Sequence, residues 1–435
     1  MRRRILIALG VIVLLVLGPL AGYVLHVKHE GRNIHGSSTV EFVPTTPKPK
    51  PPPPGIAWAM YGHDPARLRV ATGVTLVPPF HTLWTFHARR LVEFPPAVAY
   101  GRLFFANNDG VFFAVNAVTG KGDWHYTSHR CQAESPAVAN HLVFATFLNK
   151  PPCNATGAGL DGQVIAFVAE TGKIRWRRTI GPSETSPLVR DGVVYVGDWN
   201  GRVWALDAST GRTKWTFQAG GQVKGGIAAS GDRLYFGAYD AKVYALDATT
   251  GKLIWTADAQ PRLGHSASFY STPAVAYDRV YIGGTDDKIY SFGATSGKLR
   301  WSYSTGGYVY SSPAVYHDLI YAGSYDGTFY AFNAATGAVR WKFKANGPIS
   351  GSPTVVAGNV YFATLKGRTY ALDGLTGKPV WTFPDGKYSP VVADDDRLYL
   401  VGYTRVYGLR EKGAVPSTHA LRSHRSRRVH RVSPG

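Results

Sequence analysis

Equivalent positions of a repeated pattern hold residues that could bind a ligand. Short segments that open with a proline recur along the chain, and several carry a functional side chain three positions before that proline. These side chains belong to Glu93, Glu184, Tyr270, Tyr310 and Lys387. Two carboxylates, two phenols and an ammonium group, brought together, could hold a small polar ligand or a calcium ion. The alternative is a solvated rim that binds nothing.

The composition narrows the kind of fold that can bring these positions together. Of 435 residues, 45% are hydrophobic, 13% are aromatic and 49 are glycine, which excludes wholesale disorder and is typical of many strands and turns. The 48 basic and 28 acidic side chains give a formal net charge of +20. Such a charge suits anionic partners, namely nucleic acid, phospholipid or acidic wall polymers.

The N-terminus predicts a membrane anchor. Arg2, Arg3 and Arg4 precede an uncharged apolar run from Ile5 to Leu25, which as a helix at about 1.5 Å per residue matches the roughly 30 Å hydrocarbon layer. The positive-inside rule keeps the basic flank in the cytoplasm and sends the rest of the chain outward. We therefore expect residues 1–27 to form a single-pass anchor in the cell membrane. A cleaved signal peptide is the alternative, although its apolar region is usually shorter.

Two further segments flank the central body. The run from Pro44 to Gly55 is rich in proline, which favours polyproline II, so we expect residues 28–55 to be an extracytoplasmic linker that holds the body off the membrane. Residues 411–435 are basic and nearly without apolar side chains, which predicts a disordered tail. The outward topology argues against nucleic acid as the tail's partner and favours an anionic membrane surface or wall polymer.

A repeat of about 40 residues organises the body. A Thr-Gly or Ser-Gly pair followed by tryptophan occurs seven times, and an eighth tryptophan precedes the first pair. The tryptophans are Trp84, Trp124, Trp176, Trp215, Trp255, Trp301, Trp341 and Trp381. Four short strands with tight turns, named A to D, consume one period, and the tryptophan lies in strand D. Four-stranded units at this period predict a β-propeller.

The two ends of the repeat region predict how the ring closes. Eight segments read as A strands, and Gly226 takes the place of proline in the fourth. The last unit has no tryptophan-bearing strand, whereas the strand around Trp84 has no strands A to C before it. The ends therefore complete one blade together, which leaves no free sheet edge. We expect an all-β, monomeric, eight-bladed propeller of four-stranded antiparallel blades over residues 56–410, closed by an N-terminal strand and preceded by one transmembrane helix.

The repeat resembles that of a known family. Ala205–Trp215 (ALDASTGRTKW) and Ala245–Trp255 (ALDATTGKLIW) are similar to the tryptophan-docking repeat of quinoprotein propellers, and the segment from Trp58 to Arg67 looks like the lead-in that such proteins carry. The resemblance implies a structural role for the eight tryptophans. The family includes dehydrogenases that use pyrroloquinoline quinone and non-catalytic scaffolds such as the propeller lipoprotein of outer-membrane barrel assembly.

The two cysteines help to decide between a dehydrogenase and a non-catalytic scaffold. A quinone-dependent member is expected to have adjacent cysteines against the cofactor, calcium ligands and a catalytic carboxylate, whereas Cys131 and Cys153 are 22 residues apart. They lie in a D–A loop and a B–C loop of one blade, hence at one end of it, and an extracytoplasmic location permits a disulfide between them. Free thiols or a pair of metal ligands are the alternatives. We predict no catalytic residues and no metal site.

These observations lead to one main hypothesis. The chain is expected to be a membrane-anchored, extracytoplasmic propeller that serves as a binding scaffold in the cell envelope, needs no cofactor, and has an envelope protein or an anionic wall polymer as its partner. The alternative is a dehydrogenase of alcohols or sugars with pyrroloquinoline quinone and calcium at the channel mouth. A carbohydrate-binding propeller is a third hypothesis, which depends on exposed aromatic residues alone.

Overall fold

The computed structural model describes residues 17–45, 53–155, 157, 159–263, 267–389 and 391–413. A helix covers residues 17–30, and in this part of the chain it falls short of the length and hydropathy that a membrane crossing requires. Residues 5–16 of the predicted span, most of the proline-rich run and residues 414–435 of the predicted tail lie outside the described residues.

The remaining regular elements that the structure describes are strands. Three precede the repeating units: β1 (Ile56–Trp58), β2 (Val70–Ala71) and β3 (Phe80–His87). Blade 1 contains β4 (Ala97–Ala99), β5 (Arg102–Ala106), β6 (Val111–Asn116) and β7 (Gly122–Thr127). Blade 2 contains β8 (Ala137–Ala139), β9 (Leu142–Phe147), β10 (Gly162–Val168) and β11 (Ile174–Ile180). Blade 3 contains β12 (Leu188–Arg190), β13 (Val193–Gly197), β14 (Arg202–Asp207) and β15 (Thr213–Gln218). Blade 4 contains β16 (Ala228–Ser230), β17 (Arg233–Gly237), β18 (Lys242–Asp247) and β19 (Leu253–Asp258).

The second half of the ring repeats this order. Blade 5 contains β20 (Ala274–Ala276), β21 (Arg279–Gly283), β22 (Lys288–Gly293) and β23 (Leu299–Ser304). Blade 6 contains β24 (Ala314–Tyr316), β25 (Leu319–Gly323), β26 (Thr328–Asn333) and β27 (Val339–Lys344). Blade 7 contains β28 (Thr354–Val356), β29 (Asn359–Thr364), β30 (Arg368–Asp373) and β31 (Pro379–Phe383). Blade 8 contains β32 (Val391–Ala393), β33 (Leu398–Val401) and β34 (Arg405–Glu411).

Blade 8 closes the ring as the sequence predicts. Its outermost strand is β3, which pairs antiparallel with β34 from Phe80 opposite Glu411 to His87 opposite Arg405. In the other blades the strands follow the order A-B-C-D, and exposure alternates along most D strands while strands A to C are largely buried. The prediction of an eight-bladed, all-β propeller with antiparallel four-stranded blades is therefore confirmed.

The repeated tryptophans join neighbouring blades. In blade 3, the indole Nε1 of Trp215 donates a 3.1 Å hydrogen bond to the carbonyl of Ala248 in blade 4, and its ring covers Gly251. The same pair of contacts recurs for every tryptophan of the repeat except Trp381, which packs edge-on against Phe80 of β3 at 5.4 Å between ring centroids. Seven of the eight blade interfaces are thus held by one packed tryptophan ring and one directed hydrogen bond.

The lead-in segment forms a strap across the channel. We use strap for residues 56–71, which begin with β1 paired to β4 and end with β2 parallel to β28. Between them, strap carbonyls accept backbone hydrogen bonds from the inner strands of blades 2, 4, 5, 6 and 7. Arg67 is fully buried and donates to the carbonyls of Tyr61, Ser186, Pro187 and Ile227. The strap therefore fills the channel behind its mouth.

Part of the predicted linker also packs on the propeller. We use clasp for residues 30–43, which lie along the outer edge of blade 5. Ile34 and Ser302 of β23 exchange backbone hydrogen bonds of 3.2 and 3.0 Å. Arg279 is fully buried and donates to the carbonyls of Ser37, Val40 and Glu41. The segment predicted as a free spacer is in this part an extra layer of the blade.

Candidate functional site

The residues singled out by the repeat meet at the channel mouth, where the D–A loops converge. The depression encloses about 470 Å³ of empty space, part of it open to solvent, and Tyr61 of the strap forms its floor. Glu93, Glu184, Tyr270 and Tyr310 all line it. Lys387 does not line it, because its ammonium lies 4.4 Å from the ring centroid of Tyr403, to one side.

The cation of this site is Lys224, because the register of blade 4 differs by one residue from the sequence alignment. Strand β16 begins at Ala228, directly after Ile227, just as β20 begins at Ala274 directly after Pro273. Ile227, and not Gly226, therefore stands in the proline position. Three positions before Ile227 is Lys224, the equivalent of Tyr270, whereas counting from Gly226 gives Val223 and leaves Lys224 one position further along.

Lys224 and Glu184 form a buried ion pair. Their Nζ and Oε1 atoms are 3.5 Å apart, and the two side chains are 17% and 10% exposed. Trp199 donates a 3.0 Å hydrogen bond from its indole to the same Oε1, and its ring lies 3.9 Å from the lysine Nζ. Tyr270 donates to Oε2 at 3.5 Å. One carboxylate thus holds a cation, an indole and a phenol in fixed positions.

Burial changes the protonation of these groups. Burial, with the nearby Glu184 carboxylate, raises the pKa of Glu93 to about 7. Burial also raises the pKa of Glu184, against the opposing effects of Lys224, Trp199 and Tyr270. The pKa of Tyr270 lies well above its ordinary value because the phenol is buried and faces both carboxylates. The mouth can therefore change its charge near neutral pH through Glu93.

Tyrosines extend the site along blades 5 and 6. Tyr270 and Tyr310 pack edge-on at 5.3 Å between ring centroids, and Tyr310 packs in the same way on Tyr325 at 5.1 Å and on Tyr308 at 5.8 Å. Tyr308 is 37% exposed, so the outer end of this row reaches solvent. Such amphipathic rings, supported by one another, are suited to contacting a protein surface.

A ring of hydroxyl groups supports the floor. The amide of Ser312 donates to Ser352 Oγ at 2.8 Å, and the amide of Thr272 donates to Ser312 Oγ at 2.9 Å. The phenol of Tyr61 shares a hydrogen bond of 2.7 Å with Ser352 Oγ. Because each hydroxyl accepts from the amide of the preceding blade, the D–A loops are held at a constant spacing around the channel.

The donor set at the mouth does not fit a calcium ion with a quinone. Among the described residues, His, Cys, Asp and Glu side chains do not converge in threes as a metal would require. The ammonium of Lys224 lies 3.5 Å from Glu184 Oε1, so this carboxylate already has a cation as its partner. The disulfide joins residues 22 apart, so the sulfur pair of adjacent cysteines is missing. We derive no reaction step through that cofactor.

Cys131 and Cys153 form the disulfide that the sequence predicts, with 5.4 Å between their Cα atoms. It joins the D–A and B–C loops of blade 2 beside the mouth. Next to it, Arg130 donates to both carboxylate oxygens of Asp161, at 3.1 and 2.8 Å. The D–A loop and the B–C loop of blade 2 are therefore fastened to each other.

Sequence reasoning missed two residues of the site and placed a third one position past the count. Trp199 and Tyr61 lie outside the position three before the strand, in a B–C turn and in the strap, and no periodic signal marks them. Counting from Gly226 leaves Lys224 one position past the expected place. Aligning Ile227 with the prolines gives it directly, since β16 and the other A strands have small or aliphatic residues after that position.

Known proteins share this fold. The similar solved structures include BamB from Moraxella catarrhalis, with a TM-score of 0.61 at 18% identity over 76% of this chain and 100% of that one. They also include the quinohemoprotein alcohol dehydrogenase from Comamonas testosteroni, with a TM-score of 0.69 at 16% identity over 83% of this chain and 82% of that one. At these identities the likeness extends to the fold alone.

The sequence comparisons show the family as well as the fold. A curated relative, the outer membrane protein assembly factor BamB of Moranella endobia (strain PCIT), is 29% identical over 131 residues, which make up 28% of this chain and 30% of the relative. The chain thus matches less than a third of that relative's length. A family model described as outer membrane protein assembly factor BamB matches residues 155–237, 220–312 and 305–433. Since these matches cover more than half of the chain, the protein belongs to the family of that assembly factor, whose repeat is that of the quinoprotein propellers.

Proposed function

We propose that this protein is a membrane-anchored, extracytoplasmic propeller that acts as a binding scaffold in the cell envelope, and that its partner is an envelope protein. The family match supports the scaffold, because the described member assists the assembly of outer membrane proteins. The basic flank and the apolar run from Ile5 to Leu25 support the anchor, with the N-terminus cytoplasmic. The disulfide agrees with an oxidising compartment.

The observation that carries the proposal is the construction of the channel mouth. Its aromatic rings are supported from behind by the strap and by one another, and two tyrosines beside it on the same face, Tyr308 and Tyr403, are 37% and 49% exposed. Aromatic side chains of this kind dominate the binding energy of protein interfaces, since they bury a large area with little loss of conformational entropy. The buried carboxylate of Glu184 is already matched by Lys224, which suits a docking surface more than a reaction centre.

Photocrosslinking in native membranes tests this binding face. We would place p-benzoylphenylalanine at Tyr308 and at Tyr403 on the mouth, and as matched controls at Val118 and Leu375 in C–D turns on the opposite face, which are 51% and 59% exposed. We expect adducts of one defined mass with an envelope protein from the mouth positions only. Adducts from the control positions alone would contradict the assignment of the face.

A titration tests the alternative of a quinone-dependent dehydrogenase. The full chain would be mixed with pyrroloquinoline quinone and calcium while the cofactor absorbance and dye-linked oxidation of alcohols and sugars are followed. We expect neither saturable binding nor turnover, because the carboxylate of Glu184 is already paired with the ammonium of Lys224. Saturable binding with turnover, abolished by Glu184→Gln, would replace the scaffold with an enzyme.

A further inference from the structure

The clasp connects the two faces of the propeller in a defined direction. It begins on the mouth side, where Gln260 in the D–A loop after blade 4 donates to the carbonyls of Glu30 and Arg32 at 2.8 and 3.0 Å. Lys288, at the end of a B–C turn, donates to the carbonyl of Gly31. B–C and D–A connections share the mouth face, so the N-terminal helix meets the propeller there.

The clasp ends on the opposite face. Glu41 binds the C–D turn of blade 5, and the amide of Val43 donates to the carbonyl of Tyr277 in an A–B turn at 3.2 Å. Strands of about six residues separate the two faces by roughly 20 Å. Residues 30–43 thus descend the outer edge of blade 5 from one face to the other.

This path leaves a shorter free linker than the sequence predicts. The sequence alone places a spacer over residues 28–55, but the structure fastens the chain to blade 5 from Glu30 onward. The predicted membrane run ends at Leu25, and residues 17–30 are helical. Only residues 26–29 then separate the membrane run from the propeller, a rise of about 6 Å at about 1.5 Å per residue.

We propose that the clasp holds the propeller close to the membrane with its channel mouth toward the bilayer, so that the mouth binds an extracytoplasmic segment of a membrane-embedded protein. The proposal rests on the membrane anchor and on the scaffold function proposed above. A protein segment suits the mouth better than lipid does, because its side chains combine carboxylates, an ammonium group and tyrosines instead of a basic surface.

Distance-dependent quenching in membrane vesicles tests the orientation. A fluorescent label would be attached to Lys366→Cys in a B–C turn or to Leu375→Cys in a C–D turn of the full chain, with a nitroxide on the lipid headgroups as quencher. The two exposed positions flank β30 of one blade and lie on opposite faces. We expect at least threefold stronger quenching at position 366.

A chain with a released clasp provides the matched control. Residues 30–43, which include the contacts of Gln260 and Lys288 with the clasp, would be replaced by glycine and serine at equal length, and circular dichroism would establish that the propeller remains folded. We expect quenching at the two positions to become equal and weak. Equal quenching in the unaltered, membrane-bound chain would overturn the orientation while the anchor stands. Loss of the unaltered chain from vesicles after a carbonate wash would overturn the anchor, and the orientation with it.

Discussion

The carboxylate of Glu41 occupies the space beside Gly293 that an aspartate side chain fills in other blades. A Cβ atom built on Gly293 would overlap the Glu41 carboxylate, and its three nearest atoms all belong to Glu41. In blade 4, Asp247 accepts from the amides of Thr249 and Thr250 and from the Thr250 hydroxyl. Glu41 accepts from the equivalent groups of blade 5, at 3.0, 2.9 and 2.7 Å.

Because Glu41 belongs to the clasp, blade 5 depends on the clasp for the hydrogen bonds of its C–D turn. Burial of Glu41 acts to raise its pKa, but hydrogen bonds from Ser296 and Arg300 outweigh burial and hold the pKa below its ordinary value. The stabilisation is therefore present above the ordinary carboxyl range and is lost as the pH falls through the folded pKa. Blade 5, which has Gly293 where blade 4 has Asp247, is completed by a residue more than 250 positions away.

In a double-mutant cycle at Glu41 and Gly293, the effect of Gly293→Asp on stability should change sign when Glu41 is removed. Glu41→Ala is expected to cost about 2 kcal/mol, because it removes charge-assisted hydrogen bonds from a partly buried turn. Gly293→Asp should destabilise the wild type, where two carboxylates would compete for one place, but stabilise the Glu41→Ala variant. Thermal unfolding midpoints of the four proteins measure the cycle. Independent, additive effects would show that Glu41 does not replace the aspartate.

The tryptophan interfaces can be tested at a glycine. Gly251 has a φ of +70° and its added Cβ would lie 2.5 Å from the Trp215 ring, so Gly251→Ala should cost about 3 kcal/mol from strain and displacement of the ring. Gly231 has a φ of +58° with open space around it, so Gly231→Ala should cost only about 1 kcal/mol. Unfolding midpoints would show the difference. Similar losses would mean that the ring contact contributes little.

The protonation of Glu93 predicts a pH dependence. Its pKa rises from 4.5 to about 7 on folding, so the folded protein retains a proton that the unfolded chain releases in this window. Stability should therefore fall as the pH rises from about 4.5 to 7. Glu93→Gln should be more stable than the wild type at pH 8, by on the order of 2 kcal/mol, and equal to it at pH 4.

A surface carboxylate supplies the control for this pH dependence. Asp395 is exposed in the A–B turn of blade 8, and Asp395→Asn makes the same change from carboxylate to amide at a solvated position, with an expected effect within about 0.5 kcal/mol. Chemical denaturation of the wild type and both variants at pH 4 and pH 8 measures these changes in the free energy of unfolding. A Glu93→Gln variant that gains no stability at pH 8 would place the Glu93 carboxylate in contact with solvent.

Replacing one partner of the ion pair at the mouth should cost more stability than replacing both partners. Lys224→Met leaves Glu184 buried beside Trp199 without its cation, at an expected cost of about 3 kcal/mol near pH 8. The cost should shrink toward pH 5, because the raised pKa of Glu184 rises further and the carboxyl becomes protonated. Adding Glu184→Gln should recover most of the loss at pH 8. A loss that does not depend on pH would indicate a packing defect instead.

Some of the site could be predicted because it follows the repeat. Glu93, Glu184, Tyr270 and Tyr310 meet at the mouth since equivalent positions of a closed ring face one axis. Lys387 obeys the same count and lies aside, over Tyr403. Lys224 was misaligned by one residue because Ile227 replaces the proline that marks every other A strand. Counting along the repeat thus predicts which positions face the channel axis, while the direction of each side chain depends on its neighbours.

The sequence by itself determined the repeat, the number of blades, the closure by the strand around Trp84 and the pairing of Cys131 with Cys153. All of these follow from local patterns that recur at a constant period or within one blade. Only the tertiary structure decided that residues 56–71 cross the channel, that residues 30–43 cover blade 5 and that Glu41 completes its turn. These segments are not repeated, and their backbone groups and carboxylates find partners hundreds of residues away, so the spacing of residues along the chain carries no signal of them.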